Sequence, residues 1–380
     1  MSFAQLGLSP SLIKALAEQH YLAPFPIQEQ AIPAVLEGKD VLGIAKTGSG
    51  KTAGYVLPIL EASQKAAKKA NRHARVLVLV PTRELAIQVA DAFLLLGRYL
   101  ANPPKSMAVY GGVSINPQMM KLQGIDILVA TPGRLLDLID SNAVHLSEVE
   151  LLVLDEADKM LNLGFKDEMT KIFSLLPAKR QNILFSATLD SDINNINAIL
   201  LRDPLTIEII EEEDSIELIE QSAYAIEEAW KGPLLRYLIK SEDLQQVLVF
   251  TSAIRSADNL VVKLVKNGIA AAAFHGDKSQ GSRTDSLTKF KSGKLRVLVA
   301  TDLAGRGIDI PELPVVINYE LPRSPKDYIH RIGRTGRAGN SGKAISLVTP
   351  ADEHHFKVIQ KKTGQHVALT DGNVLEIKGS

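Results

Sequence analysis

The sequence has no cysteine among its 380 residues, a single tryptophan, and an aromatic content of only 5%. The absence of cysteine excludes disulfide bonds, thiolate metal sites and cysteine nucleophiles, so any metal must be bound by oxygen or by histidine. No apolar run approaches the ~18 residues that would span a bilayer, and the chain does not begin with a charged leader followed by an apolar block. We therefore expect a cytoplasmic protein that is neither secreted nor inserted into a membrane.

A net charge is also lacking, because 43 basic residues balance 43 acidic ones, but the two signs are unevenly distributed. Residues 207–228 contain nine acidic residues and no basic residue, which is typical of a solvated connector. Residues 251–350 contain sixteen Lys and Arg against eight Asp and Glu. That surplus could face a polyanion, or it could be scattered surface charge. We expect the single tryptophan, Trp230, to pack in the interior.

The length predicts two or three domains at ~100 to 200 residues per domain. Short β-branched apolar runs alternate with stretches of helical spacing, which predicts parallel sheets covered by helices. The fold class is therefore α/β, with two doubly wound domains at 1–207 and 223–365, an acidic linker at 208–222 and a short tail at 366–380. The predicted strands are 41–45, 76–80, 107–110, 125–130, 151–154, 183–185, 247–250, 270–274, 297–300, 315–319 and 344–348.

Polar clusters follow most of these strands directly. The first strand runs into KTGSGKT, the fifth into DEAD, the sixth into SAT, and a strand of the second half into TDLAGRGID. In open parallel sheets, ligands bind beyond the carboxyl ends of the strands. The clusters therefore indicate a shared cleft or binding surface.

The first cluster, AKTGSGKT, predicts a phosphate-binding loop in which Ala45 stands where a strict GxxxxGKT pattern has glycine. Gly48 and Gly50 let backbone N–H groups turn towards phosphate oxygens, Lys51 can reach the terminal phosphates, and the Thr52 hydroxyl can bind Mg²⁺. A purely structural glycine-rich turn is the alternative, but a strand precedes this segment and a helix follows it. The predicted nucleotide-binding residues of this loop are Ala45, Lys46, Thr47, Gly48, Ser49, Gly50, Lys51 and Thr52.

A nucleotide-hydrolysing site also needs carboxylates, because Mg²⁺ prefers oxygen ligands and the attacking water must be oriented. The segment Asp155–Asp158 supplies them at the end of an apolar strand. We assign Asp155 to the metal and Glu156 to the positioning or deprotonation of water. The alternative is an acidic cap stabilised by the positive end of a helix, and the presence of the phosphate loop makes it the weaker interpretation.

The order and spacing of these motifs resemble those of the DEAD-box RNA helicases of superfamily 2. The resemblance extends over residues 3–350, and its motifs are YLAPFPIQ, AKTGSGKT, PTRELA, GG, TPGR, DEAD, SAT, VLVFTSA, QGSR, ATDLAGRGID and HRIGRTGRAG. It implies two RecA-like domains in tandem that face each other across a cleft. It also implies ATP and Mg²⁺ as cofactors and RNA as the partner.

The resemblance assigns further nucleotide contacts. Gln28 would hydrogen-bond the adenine edge and Tyr21 would offer a ring face to it, while Gly307 and Asp309 would contact the ribose. The alternative for Tyr21 and Gln28 is packing and capping of a loop.

The resemblance also implies two arginine fingers, Arg334 and Arg337, which would reach the γ-phosphate from the second domain. If their segment is helical, both can point the same way; the alternative is a surface cluster that binds any anion. Residues that would couple the two domains are Asp158, Ser186, Thr188, His330 and Arg331.

The implied RNA contacts are hydroxyls, arginines and backbone N–H groups, which hold a sugar-phosphate backbone without reading bases. We expect them to bind single-stranded and short duplex RNA, alone or together with proteins of an RNA–protein particle. For Thr82 and Thr131 the alternative is helix capping. The predicted residues are Pro81, Thr82, Arg83, Gly112, Thr131, Pro132, Gly133 and Arg134 in the first domain, and Gln280, Arg283 and Thr301 in the second.

The predicted function is RNA-stimulated ATP hydrolysis coupled to closure of the two domains, with local unwinding of short duplexes. One alternative is an ATP-dependent RNA clamp with little unwinding. A second is a DNA helicase or translocase, which the DEAD, SAT and Gln28 motifs disfavour.

Overall fold

The computed structural model describes residues 1–45, 48–64, 72–189, 191–209, 219–302, 313–336 and 342–372. The chain divides into two compact units, Met1–Ile210 and Glu211–Ser380. Each unit contains a seven-stranded sheet, and the strand pairs within the described residues are parallel. Over these same ranges, none of the helices has the length and apolar character needed to cross a membrane.

The first unit contains one sheet with strand order β3-β4-β2-β5-β6-β1-β7. Its strands are β1 (Val41–Ile44), β2 (Val76–Leu79), β3 (Ser106–Val109), β4 (Ile127–Ala130), β5 (Leu151–Leu154), β6 (Gln181–Ser186) and β7 (Leu205–Glu208). Its helices are a 3-10 helix (Phe3–Leu6), α1 (Pro10–Glu18), α2 (Pro26–Leu36), α3 (Lys51–Ser63), α4 (Arg83–Leu96), α5 (Asn116–Lys121), α6 (Pro132–Asp140), α7 (Ala157–Asn162), α8 (Lys166–Ser174) and α9 (Ser191–Leu200).

Both faces of this sheet are buried. Along β2, Val76 and Val78 belong to one apolar cluster, and Leu77 and Leu79 belong to the other. Successive side chains of a strand point to opposite faces, so an uninterrupted apolar run fits a sheet with helices on both sides.

The second unit contains a sheet with strand order β10-β11-β9-β12-β13-β8-β14. Its strands are β8 (Ile219–Ala225), β9 (Val247–Thr251), β10 (Ala271–Phe274), β11 (Val297–Thr301), β12 (Val315–Asn318), β13 (Gly342–Val348) and β14 (Leu369–Asp371). Its helices are a 3-10 helix (Glu228–Trp230), α10 (Lys231–Ser241), α11 (Ile254–Lys266), α12 (Gln280–Lys291), α13 (Pro325–Ile332) and α14 (Glu353–Thr363).

The predicted fold class is confirmed, and every predicted strand is present with its ends shifted by no more than two residues. Three strands were missed. β7 and β14 are short edge strands with mostly exposed side chains, and β8 begins within the predicted acidic linker.

Two predicted boundaries are therefore corrected. Residues 219–222 of the predicted linker belong to β8, and residues 369–371 of the predicted tail form β14. β8 pairs with β13 on one side and with β14 on the other, so backbone hydrogen bonding places these residues in the sheet despite their polar sequence. Residues 210–218 of the predicted linker lie outside the described residues.

The expectation that Trp230 packs in the interior is wrong, because its exposed fraction is 43%. The next residue, Lys231, is buried instead. Its Nζ lies 4.9 Å from the centre of the Tyr319 ring and 3.2 Å from a carboxylate oxygen of Glu228. The aromatic face and the carboxylate compensate the lysine charge at the start of α10.

Candidate nucleotide and RNA sites

The predicted phosphate loop connects β1 to α3. Gly48 and Gly50 have φ angles of 93° and 83°, a left-handed conformation that glycine adopts at little cost. A Cβ on Gly50 would collide with the amide of Gln28 and would come within 2.8 Å of the Phe25 ring. Lys51 is the first residue of α3, so the positive end of the helix faces the loop. Two predicted residues, Lys46 and Thr47, lie outside the described residues.

A lysine and two carboxylates meet at the carboxyl edge of this sheet. Lys51 is buried, and its Nζ donates a hydrogen bond to the carbonyl of Ala45. Burial lowers the pKa of Lys51, whereas the nearby charges of Asp155 and Glu156 act to raise it. The structure thus brings together, within one unit, the lysine and the acidic residues that the sequence assigned to phosphate, metal and water.

Asp155 follows β5 and is 2% exposed. Burial raises the pKa of its carboxyl to about 6, with a further increase from the charge of Glu156 and an opposing decrease from Lys51. Its Oδ2 accepts a hydrogen bond of 2.9 Å from the hydroxyl of Tyr55. Its Oδ1 is buried and has no hydrogen-bond partner among the described residues.

Glu156 has a φ of 53° and a ψ of 48°, so a residue with a side chain occupies the left-handed region. Such a conformation costs about 1 to 3 kcal/mol and occurs preferentially at functional sites. Its Oε1 accepts a hydrogen bond of 2.5 Å from Nζ of Lys159, one turn further along α7. In the part of the chain that the structure describes, its Oε2 is buried without a partner.

These oxygens fit a hard divalent cation. Asp155 Oδ1 needs a partner, and Thr52 places a hydroxyl at the start of the neighbouring α3. The described residues contain no group of three or more His, Cys, Asp or Glu side chains arranged to hold a metal alone. A cation at this position would therefore take most of its ligands from water and from nucleotide phosphates, as Mg²⁺ usually does.

Sequence analysis missed two residues of this site, Tyr55 and Lys159. Tyr55 is fully buried, and its hydroxyl donates a hydrogen bond to Asp155. A signal existed for Lys159, because it is three residues after Glu156. This spacing brings side chains together on a helix surface.

The predicted adenine contacts, Gln28 and Tyr21, lie near the start of the first unit. Gln28 is fully buried, its Nε2 donates to the carbonyl of Gly50 at 2.9 Å, and its Oε1 accepts from the backbone N–H of Phe25 at 3.0 Å. The Gln28 amide thus links α2 to the phosphate loop, and its contact with adenine stays a prediction. Tyr21 is partly buried and packs edge-on against Phe3, with ring centres 6.3 Å apart.

Three predicted coupling residues lie together at the ends of β5 and β6. The backbone N–H of Ala187 lies 3.5 Å from Oδ1 of Asp158. The Ser186 hydroxyl donates to the carbonyl of Thr188 at 2.8 Å. The DEAD and SAT segments are therefore in contact within the first unit.

The predicted RNA-binding segments of the first unit follow β2, β3 and β4, which are adjacent in the sheet. The guanidinium of Arg83 lies so close to Gly112 that a Cβ at this glycine would collide with it. Thr82 caps α4, since its hydroxyl accepts a hydrogen bond of 3.3 Å from the backbone N–H of Leu85. Thr82, which comes directly after Pro81, is therefore a helix cap, as the alternative interpretation expected. Thr131 precedes α6 without a capping hydrogen bond within the described residues.

Arg134 supports the neighbouring loop instead of facing solvent. It is 7% exposed, its Nη2 donates to the carbonyl of Val113 at 2.7 Å, and its Nε lies 3.3 Å from a carboxylate oxygen of Asp137. Arg134 therefore anchors the residue that follows the GG segment, and its contact with RNA stays a prediction. Pro132 and Gly133 occupy the first turn of α6, whose N–H groups remain candidates for backbone binding.

In the second unit, the predicted RNA contacts lie on neighbouring strands and the helix that follows them. Thr301 is the last residue of β11, which pairs with β10. Gln280 is the first residue of α12, and the Arg283 guanidinium lies 4.9 Å from the centre of the Phe274 ring at the end of β10. These three residues therefore share the carboxyl edge of the second sheet.

The predicted coupling role of Arg331 stays a prediction, and the contacts that the structure describes for it lie inside the second unit. Its Nε and Nη2 donate to both carboxylate oxygens of Asp302 at 2.5 and 2.8 Å. Its Nη1 donates to Oδ1 of Asn318 at 3.0 Å and to the carbonyl of Glu320 at 2.6 Å. A guanidinium bound on every side is committed to its own unit. His330 precedes it on α13 and is partly exposed.

The condition of a helical segment for the two predicted arginine fingers is not met at Arg334. Helix α13 ends at Ile332 and its C-cap is Gly333, so Arg334 lies beyond the helix, where it is 8% exposed. The predicted partner Arg337 and the predicted ribose contacts Gly307 and Asp309 lie outside the described residues.

Two RecA-like parallel α/β units in tandem, the first with a phosphate loop and paired carboxylates, define the class of nucleotide-dependent motor proteins. Residues 25–196 match the DEAD/DEAH box helicase family, and residues 230–339 match the helicase conserved C-terminal domain. The chain belongs to the DEAD-box family of ATP-dependent RNA helicases.

Individual relatives agree with this assignment. The chain is 42% identical to the ATP-dependent RNA helicase CshA of Limosilactobacillus reuteri, over 96% of this chain and 72% of that protein. It is 40% identical to the DEAD-box ATP-dependent RNA helicase RhpA of Helicobacter pylori, over 97% of this chain and 74% of that protein. Among solved structures, S. cerevisiae Dbp5 bound to RNA and ADP BeF3 matches with a TM-score of 0.84 and 29% identity, over 98% of this chain and 96% of that one.

Proposed function

We propose that this chain hydrolyses ATP in response to RNA, and that ATP binding and hydrolysis close and reopen its two units on single-stranded RNA. Closure would bend the bound strand, which opens short duplexes locally and remodels RNA–protein particles. One observation carries the proposal. Among the described residues of the first unit, Asp155 Oδ1 and Glu156 Oε2 are buried without hydrogen-bond partners. Both carboxylates lie near the charge of Lys51.

The first unit would bind the nucleotide and activate water. Lys51 and the N–H groups at the start of α3 compensate the phosphate charge. The left-handed backbone of Glu156 sets the direction of its side chain, which orients a water molecule and accepts a proton from that water. Thr52 and Asp155 would hold Mg²⁺, which when bound neutralises charge that develops on the phosphate oxygens. The hydrogen bond from Gln28 to the carbonyl of Gly50 holds the phosphate loop in place.

The second unit would complete the site with arginine. In this proposal Arg334 and Arg337 meet the γ-phosphate only when the two units close, so hydrolysis depends on closure. RNA bound to both units favours the same closed state. By linkage, each ligand then strengthens the binding of the other.

RNA recognition would use the backbone. The Arg83–Gly112 contact and the start of α6 form one half of the surface, and Gln280 and Arg283 belong to the other. Such contacts are sequence-tolerant, and a contact with the 2′-hydroxyl would favour RNA over DNA.

The test is multiple-turnover ATP hydrolysis by the full chain, alone and with single-stranded RNA or DNA of equal length. We expect RNA to accelerate turnover and DNA to have a much smaller effect. Equal stimulation by RNA and DNA, or none by either, would contradict the proposal. Strand separation of a short duplex, measured in parallel, distinguishes an unwinding enzyme from a clamp that stays on RNA without separating strands.

A further inference from the structure

The hydroxyl of Tyr55 contacts a group that the proposed function assigns to the cation. It donates a hydrogen bond of 2.9 Å to Asp155 Oδ2. Tyr55 lies on α3, which begins at the phosphate loop, and Asp155 follows β5, so this hydrogen bond joins two elements of the first unit.

The ring that carries this hydroxyl is held by packing. Tyr55 is fully buried, and its ring centre lies 5.9 Å from that of Phe185 on β6. Phe185 in turn fills the space above Gly43, where a Cβ would collide with its ring. The position of the hydroxyl is therefore determined by the core of the first unit and not by a mobile surface side chain.

The contact with Tyr55 distinguishes the two oxygens of Asp155. Oδ2 is engaged by the hydroxyl, while Oδ1 remains buried with no partner in the described ranges. Rotation of the carboxylate away from this orientation would break the hydrogen bond.

We propose that Tyr55 is a positioning residue for the divalent cation: its hydroxyl fixes the orientation of the Asp155 carboxylate, so that Asp155 Oδ1 faces the cation site. The inference rests on the proposed function, because it concerns the same site. Partners of metal ligands commonly fix ligand orientation in this way, and their loss weakens metal binding by roughly 10- to 100-fold.

The competing interpretation is a core tyrosine whose hydroxyl merely needs partners. A buried hydroxyl must be hydrogen-bonded whatever its role, so removing it would then alter stability alone. The two interpretations differ in one measurable quantity, the Mg²⁺ concentration that nucleotide binding requires.

The test is Tyr55→Phe, which keeps the ring and removes only the hydroxyl. The matched control is Tyr328→Phe, because Tyr328 is also buried and its hydroxyl donates to Gln221 in the second unit at 3.0 Å. Binding of a fluorescent ATP analogue is measured without turnover while Mg²⁺ is varied. We expect Tyr55→Phe to need roughly tenfold more Mg²⁺ for half-maximal enhancement of binding. Affinity without Mg²⁺ should be unchanged, and Tyr328→Phe should behave like the unsubstituted chain.

A double-mutant cycle with Asp155→Asn keeps the test independent of stability. If Tyr55 acts through Asp155, adding Tyr55→Phe to Asp155→Asn should raise the Mg²⁺ requirement no further. An unchanged Mg²⁺ requirement in Tyr55→Phe, or equal effects of this variant in both backgrounds, would overturn the inference. Failure of the proposed function looks different, because the unsubstituted chain would then show no enhancement of nucleotide binding by Mg²⁺.

Discussion

Two buried charged sites, the Arg331 network of the second unit and the Asp155–Glu156 pair of the first, differ in their hydrogen bonding. In the second unit, the Arg331 guanidinium is surrounded by Asp302, Asn318 and the carbonyl of Glu320. In the first unit, Asp155 and Glu156 each keep one buried oxygen without a partner among the residues described. A satisfied network stabilises its own unit, whereas unsatisfied buried oxygens cost free energy unless a ligand compensates them. The comparison indicates that the first unit is prepared for binding and that Arg331 provides internal support.

The largest expected effect comes from the unsatisfied carboxylate of the first unit. Glu156→Gln should reduce ATP turnover by roughly 10²- to 10⁴-fold, because an amide cannot accept the proton of water. Nucleotide binding should persist. Multiple-turnover hydrolysis and equilibrium binding measure the two quantities, and Glu37→Gln at an exposed position is the control. Ordinary turnover by Glu156→Gln would remove this residue from the mechanism.

Loss of the hydrogen-bond network around Arg331 in the second unit should lower the stability of the protein. Arg331→Ala should lower the free energy of unfolding by roughly 3 kcal/mol, since it leaves Asp302 and Asn318 without their partner. Chemical denaturation measures this change, and Arg323→Ala, at an exposed position just before α13, should have little effect. Nucleotide binding by the first unit should be retained. A stable Arg331→Ala with strongly weakened nucleotide binding would support the coupling role of Arg331.

The pH dependence of stability should reveal the unsatisfied carboxylate directly. Burial raises the folded-state pKa of Asp155 from 3.8 to about 6, so the folded protein favours the protonated form. The resulting destabilisation is absent below pH 3.8 and fully present above about 6; a shift of this size corresponds to about 3 kcal/mol. Urea denaturation without nucleotide or metal should show this decrease between pH 4 and 6.

Asp155→Asn is the matched comparison for that titration, because it cannot ionise. The difference in unfolding free energy between the two proteins should change with pH in the stated window and be constant above it. A constant difference across the whole window would show that Asp155 is ionised in the folded state at its ordinary pKa.

A smaller effect on nucleotide binding is expected from Gln28, a buried side chain of the first unit whose hydrogen bonds are satisfied. Gln28→Ala removes the hydrogen bond to Gly50, which is worth about 1 kcal/mol, and should weaken ATP binding several-fold. The same variant should weaken binding of GTP to a similar degree, because the contact supports the loop and not the base. A loss confined to ATP would support the adenine contact that the sequence predicted.

Sequence patterns predicted the strands whose burial can be recognised from the strand's own residues. Uninterrupted apolar runs such as 76–80 and 151–154 are buried on both faces, so composition alone identifies them. β8 could not be predicted in this way. Its residues include Glu220, Gln221 and Ser222, and its place in the sheet depends on pairing with β13 and β14.

The same distinction applies to the site. Lys51, Asp155 and Glu156 were predictable because motifs at strand ends carry their chemistry. Tyr55 and the network of Arg331 were not, because each acts through partners more than ten residues away that only the folded chain brings together.

The central claim is that ATP hydrolysis needs the two units to close, and the absence of cysteine makes this directly measurable. Glu37→Cys and Lys289→Cys place one label on an exposed position of each unit for energy transfer. A non-hydrolysable ATP analogue and single-stranded RNA together should change the transfer efficiency by more than the sum of their separate effects. An efficiency that is the same with both ligands, with either one and with none would contradict the account.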